Sequence, residues 1–174
     1  MRLEIWELPI KLFYKESLAI WKEKLGDNHP DVATSLNSLA GLYKSQGRYT
    51  EGEPLYKESL AIWKEKLGDN HPDVATSLNS LAGLYKSQGR YTEGEPLYKE
   101  SLAIWKEKLG DNHPDVATSL NSLAGLYKSQ GRYTEAEPLY LPPEPQSSSQ
   151  TTQTLCKKTR PNGNATCTAI IWRY

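Results

Sequence analysis

The sequence is poor in the features that most directly announce a chemistry. Cysteine is scarce: among 174 residues only Cys156 and Cys167 carry thiols, both near the C-terminal end, so no disulfide framework supports the rest of the chain. Neither charge sign is in excess, with 21 basic and 21 acidic residues. Nucleic-acid binding needs a basic footprint to neutralise phosphates, so no nucleic-acid partner is expected. Long hydrophobic runs are missing too. The longest span a few residues, as in Ala169-Ile170-Ile171-Trp172, which is too short to cross a bilayer. The N-terminal stretch has no apolar core of signal-peptide length and carries acids early. The expectation is a soluble, cytoplasmic protein with no membrane partner.

What the sequence does have is repetition. Residues 14–55 recur at 56–97 and again at 98–139, with a period of 42 residues and one change, Ala136 in place of glycine. A repeat of this length marks stacked supersecondary units rather than one globular core. Three regions follow: a lead-in at 1–13, the repeats at 14–140, and a tail at 141–174.

Within the repeat, Pro9 stands in register with Glu51 and Glu93, where a helix opens, and the first helical turn tolerates proline. The pattern predicts a helix over 9–25, after an irregular 1–8, ended by Gly26. A polar loop follows, and Pro30 or Asp31 starts the next helix. Val32, Leu36, Leu39, Ala40 and Tyr43 form one apolar stripe at helical spacing, stopping at Gln46-Gly47. Thr50 and Glu53 then read as a capping box. A second stripe runs through Tyr56, Ser59, Leu60, Trp63 and Leu67 to Gly68. The same pattern predicts helices near 73–88, 92–109 and 115–130. A turn of about three residues between such helices makes them antiparallel neighbours, so each unit is a helical hairpin that must stack to bury both stripes.

The third copy starts its second helix at Thr134 and then breaks off at Leu141-Pro142-Pro143-Glu144-Pro145, a proline density no helix continues through. The Ser/Thr/Gln composition of 146–154 predicts disorder. Asn162-Gly163 between two weakly strand-like runs could turn a marginal hairpin, and the tail is expected to be mostly disordered.

Helical hairpins of similar length also build HEAT and armadillo solenoids. The residues favour another family. Leu36, Leu39-Ala40 and Tyr43, then Gly47 and Tyr49, then Gly52 and Tyr56, resemble the tetratricopeptide repeat signature. The 42-residue period, the run Leu-Gly-Asp-Asn-His-Pro-Asp-Val-Ala-Thr-Ser-Leu-Asn-Ser-Leu-Ala and Gly-Arg-Tyr-Thr-Glu-Gly-Glu-Pro-Leu-Tyr are similar to the kinesin-light-chain type. Gly52, Gly94, Ser59 and Ser101 depart from it. A glycine inside a helix costs roughly 1 kcal/mol against alanine, yet it permits close helix approach. The resemblance implies an all-α solenoid, a right-handed superhelix of stacked antiparallel hairpins.

Opposite the first-helix stripe, spacings of three and four put Thr34, Asn37, Gly41, Lys44 and Arg48 on one face. The resemblance implies that this face lines a concave groove receiving a protein or peptide. It carries that role to Asn37, Asn79 and Asn121, and to Thr34, Thr76 and Thr118, Gly41, Gly83 and Gly125, and Lys44, Lys86 and Lys128. An asparagine amide donates to and accepts from a peptide backbone, and the lysines bias the groove toward acidic peptides. The alternative is an ordinary solvated helix face.

His29, His71 and His113 sit one per loop. Stacked hairpins lie roughly 10 Å apart, too far for three imidazoles to share one ion, so the histidines read as turn residues and no metal or other cofactor is expected. Trp21, Trp63 and Trp105 fall on the buried stripe and read as core. Cys156 and Cys167 lack a second ligand pair, and the Asn164 glycosylation triplet has meaning only in a secreted chain. Every Ser, His and Asp of the repeats comes in threes, whereas an active site needs one convergence of groups, so a non-enzymatic scaffold is expected. Two further readings stand beside it. In one, the truncated last hairpin accepts residues 9–25 of another copy. In the other, the chain is the sensor part of a larger signalling protein.

Overall fold

The computed structural model describes residues 7–140. The readings made on the tail, on Cys156 and Cys167, on Asn164 and on residues 1–6 fall outside the described residues.

The described chain consists of α1 (Glu7–Leu25), α2 (Pro30–Ser45), α3 (Tyr49–Leu67), α4 (Pro72–Ser87), α5 (Tyr91–Leu109), α6 (Pro114–Ser129) and α7 (Tyr133–Tyr140), with no strand among the described residues. α1 starts two residues ahead of the expected Pro9. Each first helix (α2, α4, α6) opens on a proline at a position where a missing N–H costs nothing. The histidines are the caps: Nδ1 of His29, His71 and His113 accepts a hydrogen bond from the backbone N–H of Asp31, Asp73 and Asp115, at 3.2 Å each. The turn between the helices closes on Gly47 at φ 70°, with Arg48 N–H donating to Tyr43 O at 2.9 Å.

The expected capping box at Thr50 does not form. α3 begins at Tyr49, so Thr50 lies inside it, and the N-cap Arg48 makes no side-chain cap bond. Glu53 turns to the next repeat instead. Its carboxylate accepts from Arg90 Nη1 at 2.5 Å and from Tyr85 Oη at 3.2 Å, besides Lys57 Nζ at 2.7 Å. Glu95 repeats this with Arg132 at 2.6 Å, Tyr127 at 3.1 Å and Lys99 at 2.7 Å. Two charged donors outweigh one backbone N–H.

α2 with α3, α4 with α5 and α6 with α7 pack as hairpins, and each second helix also packs on the following first helix. Val32, Ala33, Leu36, Leu39, Ala40 and Tyr43 are buried along α2, as their spacing predicts. The second-helix stripe differs from expectation. Ile62 is buried against Val32, Ala33 and Leu36, while Leu67 is exposed. Leu60 and Trp63 pack partly against Val74, Ala75 and Leu78 of the next repeat. A second helix lies between two first helices, so it carries two apolar faces rather than one. Position also grades the tryptophans: Trp105 is 4% exposed and Trp21 40%. Only the former is core.

Gly52 and Gly94 serve close approach. A Cβ on Gly52 would stand 3.1 Å from Ala40 O and 3.3 Å from Leu84 Cδ1 of the next repeat.

Candidate functional site

Among the described residues, the backbones of first helices approach their counterparts one repeat on, α2 with α4 and α4 with α6, whereas successive second helices are joined only through long side chains such as Lys22–Glu58 and Lys64–Glu100. The face predicted from spacing lies on the side where first helices meet, and Lys44 on it reaches Gly83 of the next repeat.

Asn37 and Asn79 are half-buried there, and the Oδ1 of each is buried with no hydrogen-bond partner. A buried acceptor left unpaired costs roughly 1–3 kcal/mol, a debt a ligand donor would settle. Asn121 is exposed. Lys44 reaches across to the next repeat, so that a Cβ on Gly83 would lie 2.7 Å from its Nζ; Lys86 stands likewise 2.6 Å from the Cβ position of Gly125. Burial pushes the pKa of both amines down, and the charge of Lys86 adds to the effect on Lys44. Neither amine meets a carboxylate within ion-pair distance among the described residues. Lys128 is exposed.

The remaining predicted members are less available. Thr34, Thr76 and Thr118 are exposed, but each hydroxyl donates to its own helix, to Pro30, Pro72 and Pro114 carbonyls at 3.2, 3.1 and 3.0 Å. They can only accept. Arg48 does not join the face: its guanidinium lies 4.5 Å over the Tyr43 ring and bonds Glu51. Gly41 borders Tyr56, whose Oη would stand 3.5 Å from a Cβ there, and Tyr98 Oη stands 3.4 Å from the Cβ position of Gly83. Burial pushes both phenols up to about 12, so they stay protonated donors. These hydroxyls were not legible as site groups, since the tyrosines read as core. The signal that could have found them is a glycine opposite a tyrosine one helix away.

No group of three or more His, Cys, Asp or Glu side chains capable of holding a metal ion occurs among the described residues. No described helix is long and apolar enough to cross a membrane.

A sequence model of the tetratricopeptide repeat matches residues 13–51, 31–92 and 74–141. The chain belongs to the tetratricopeptide repeat family. No curated protein matches it. Among solved structures, the crystal structure of BtubC (BKLC) from P. vanneervenii is similar at 27% identity and a TM-score of 0.68, covering 74% of this chain and 52% of that one. Two crystal structures of a Podosopora anserina putative kinesin light chain with nearly identical TPR-like repeats are similar at 28% identity, with TM-scores of 0.65 and 0.63, covering 76% of this chain and 63% of that one. The chain thus spans between half and two thirds of the proteins it resembles. These neighbours bear out the α-solenoid and the kinesin-light-chain-like repeat type. Tetratricopeptide repeats mediate protein–protein interaction.

Proposed function

We propose that this tetratricopeptide array is a non-enzymatic cytoplasmic scaffold whose first-helix face binds an extended, acidic peptide segment of a partner protein. The observation that carries the reading is the pair of buried, unpartnered acceptors, Asn37 Oδ1 and Asn79 Oδ1, one repeat apart on the first-helix face. An extended peptide offers backbone N–H groups along one edge, and each could satisfy one such acceptor. Lys44 and Lys86, which meet no carboxylate, supply the acidic preference: a ligand carboxylate would restore solvation that burial takes from the amines. Affinity would be spread over several repeats, with no single pocket dominating.

The test is titration of a fluorescent acidic peptide library against the full chain. Substituting Asn37→Ala and Asn79→Ala together is expected to weaken selected peptides about 10-fold or more, the loss of one to two net hydrogen bonds. Lys44→Met with Lys86→Met should abolish the preference for acidic over neutral peptides. Unchanged affinity in the asparagine variant would end the reading.

A further inference from the structure

We propose that the protein assembles head to tail with copies of itself, α1 of one copy completing the third hairpin of the next. In the first two hairpins the second helix covers the first through a serine and an isoleucine. Ser59 Oγ donates to Ala33 O at 2.7 Å, and Ser101 Oγ to Ala75 O at 2.8 Å. Ile62 and Ile104 are each 5% exposed, and Ala33 and Ala75 are fully buried. In the third hairpin α7 is described as far as Tyr140, and prolines stand at 142 and 143 of the sequence, where the other copies carry the covering Lys-Glu-Ser segment. Ala117, the counterpart of Ala33 and Ala75, is exposed, and Leu120 is only half-buried.

The segment missing from that hairpin exists at the other end of the chain. Residues 14–25 have the same sequence as 56–67 and 98–109, the stretches that do this covering. In α1 they lie uncovered. Ile20 is 55% exposed and Trp21 40%. Ser17 Oγ, without a carbonyl across from it, donates to Tyr14 O of its own helix at 3.1 Å. One end of the molecule therefore presents the serine and isoleucine of the contact, and the other presents the alanine face that receives them.

Charge agrees with shape. Successive second helices are tied by Lys22–Glu58 at 2.8 Å and Lys64–Glu100 at 3.2 Å, and Asn70 Nδ2 donates to Glu107 at 2.8 Å. Continued by one repeat, the pattern sets Lys106 against Glu16 of the incoming copy and Asn112 against its Glu23. One adjustment is required. In register, residues 7–14 of the incoming copy and 133–140 of the receiver claim the same space. The incoming residues yield: Leu12 and Phe13 are 56% and 67% exposed, whereas α7 is held by buried Ala136 and by the Arg132–Glu95 bridge at 2.6 Å. The contact joins unlike surfaces, so a pair of copies leaves one of each surface free and growth continues past the dimer.

The test is sedimentation of the full chain over a concentration series, with Ile20→Glu and Ala117→Glu variants. Both positions are exposed, so both variants should keep the helical circular dichroism and melting temperature of the parent. The parent is expected to gain mean mass with concentration, past the dimer. Each variant alone should remain monomeric, because one of its two ends is blocked. Mixed in equal amounts they should form a dimer and nothing larger, since one intact α1 and one intact α6 remain. A parent that stays monomeric throughout, as it would if residues 141–174 of the same chain covered α6, overturns the proposal. So do single variants that still associate, and a mixture that stays monomeric where the parent assembles.

Discussion

Glu53 and Glu95 couple neighbouring repeats, and replacing both by glutamine measures how much. Burial alone would raise the pKa of Glu53, but hydrogen bonds from Arg90, Lys57 and Tyr85 outweigh it and hold the carboxyl at about 2. For Glu95 the Arg132 hydrogen bond leads, burial opposes it, and Lys99 and Tyr127 assist; the result is again about 2. A carboxyl lowered from 4.5 to about 2 contributes at most about 3 kcal/mol, at 1.36 kcal/mol per pH unit. The side chains of Arg90 and Lys57 are 34% and 56% exposed, and solvent screening brings the figure to about 1–2 kcal/mol per site. Both folded-state pKa values lie below the unfolded one, so the stabilisation is fully present above pH 4.5 and is lost as pH falls through about 2. Urea unfolding followed by circular dichroism at pH 7, 5, 3 and 2 reads this directly. Glu53→Gln with Glu95→Gln should cost about 2–4 kcal/mol at pH 7, and the gap to the parent should close as the pH approaches 2. A gap that stays constant with pH would show that the two carboxylates do not couple the repeats through their charge.

Gly41 lies mid-helix with only ordinary contact awaiting a Cβ, 3.5 Å from Tyr56 Oη. Gly41→Ala should therefore stabilise by about 0.5–1 kcal/mol, whereas Gly52→Ala should gain nothing, because Ala40 O stands 3.1 Å from its Cβ. Equal gains in thermal melts would contradict the packing role of Gly52. His71→Ala should lose about 0.5–2 kcal/mol through the missing cap on Asp73 N–H, and His71→Asn should restore most of it; equal losses in the two variants would leave the histidine no capping role.

The sequence disclosed what depends on local spacing. The period, the helix count and the first-helix core follow from residues within a few positions of one another, and the helix starts agree to within two residues. What it concealed depends on neighbours a full repeat away. Thr50 and Glu53 satisfy every local condition for a capping box, yet Arg90, 37 residues on, takes the carboxylate. His29 read as a turn residue because proline follows it, and the same geometry aims its ring at Asp31 N–H. Lys44 was placed on the right face from spacing, but its seat beside Gly83 belongs to the next repeat. Tyr56 and Tyr98 read as core because they lie on the apolar stripe, and only their hydroxyl ends reach Gly41 and Gly83 on the first-helix face.

Near-identical repeats therefore do not give equivalent sites. Ala33 and Ala75 are fully buried while Ala117 is exposed, and Asn79 holds a buried, unpaired Oδ1 while Asn121 is open to water. The one internal difference in sequence follows the same logic. Gly52 faces Leu84, and Gly94 faces Leu126, each with 3.3 Å left for a Cβ. Position 136 has no following first helix to supply that leucine among the described residues, and there the glycine gives way to alanine, whose methyl is buried to 4% exposure. Register places Ile10 of α1 at the same position, ahead of α2 and its Leu42, so a side chain larger than glycine there is compatible with a following first helix, such as α2 of an incoming copy.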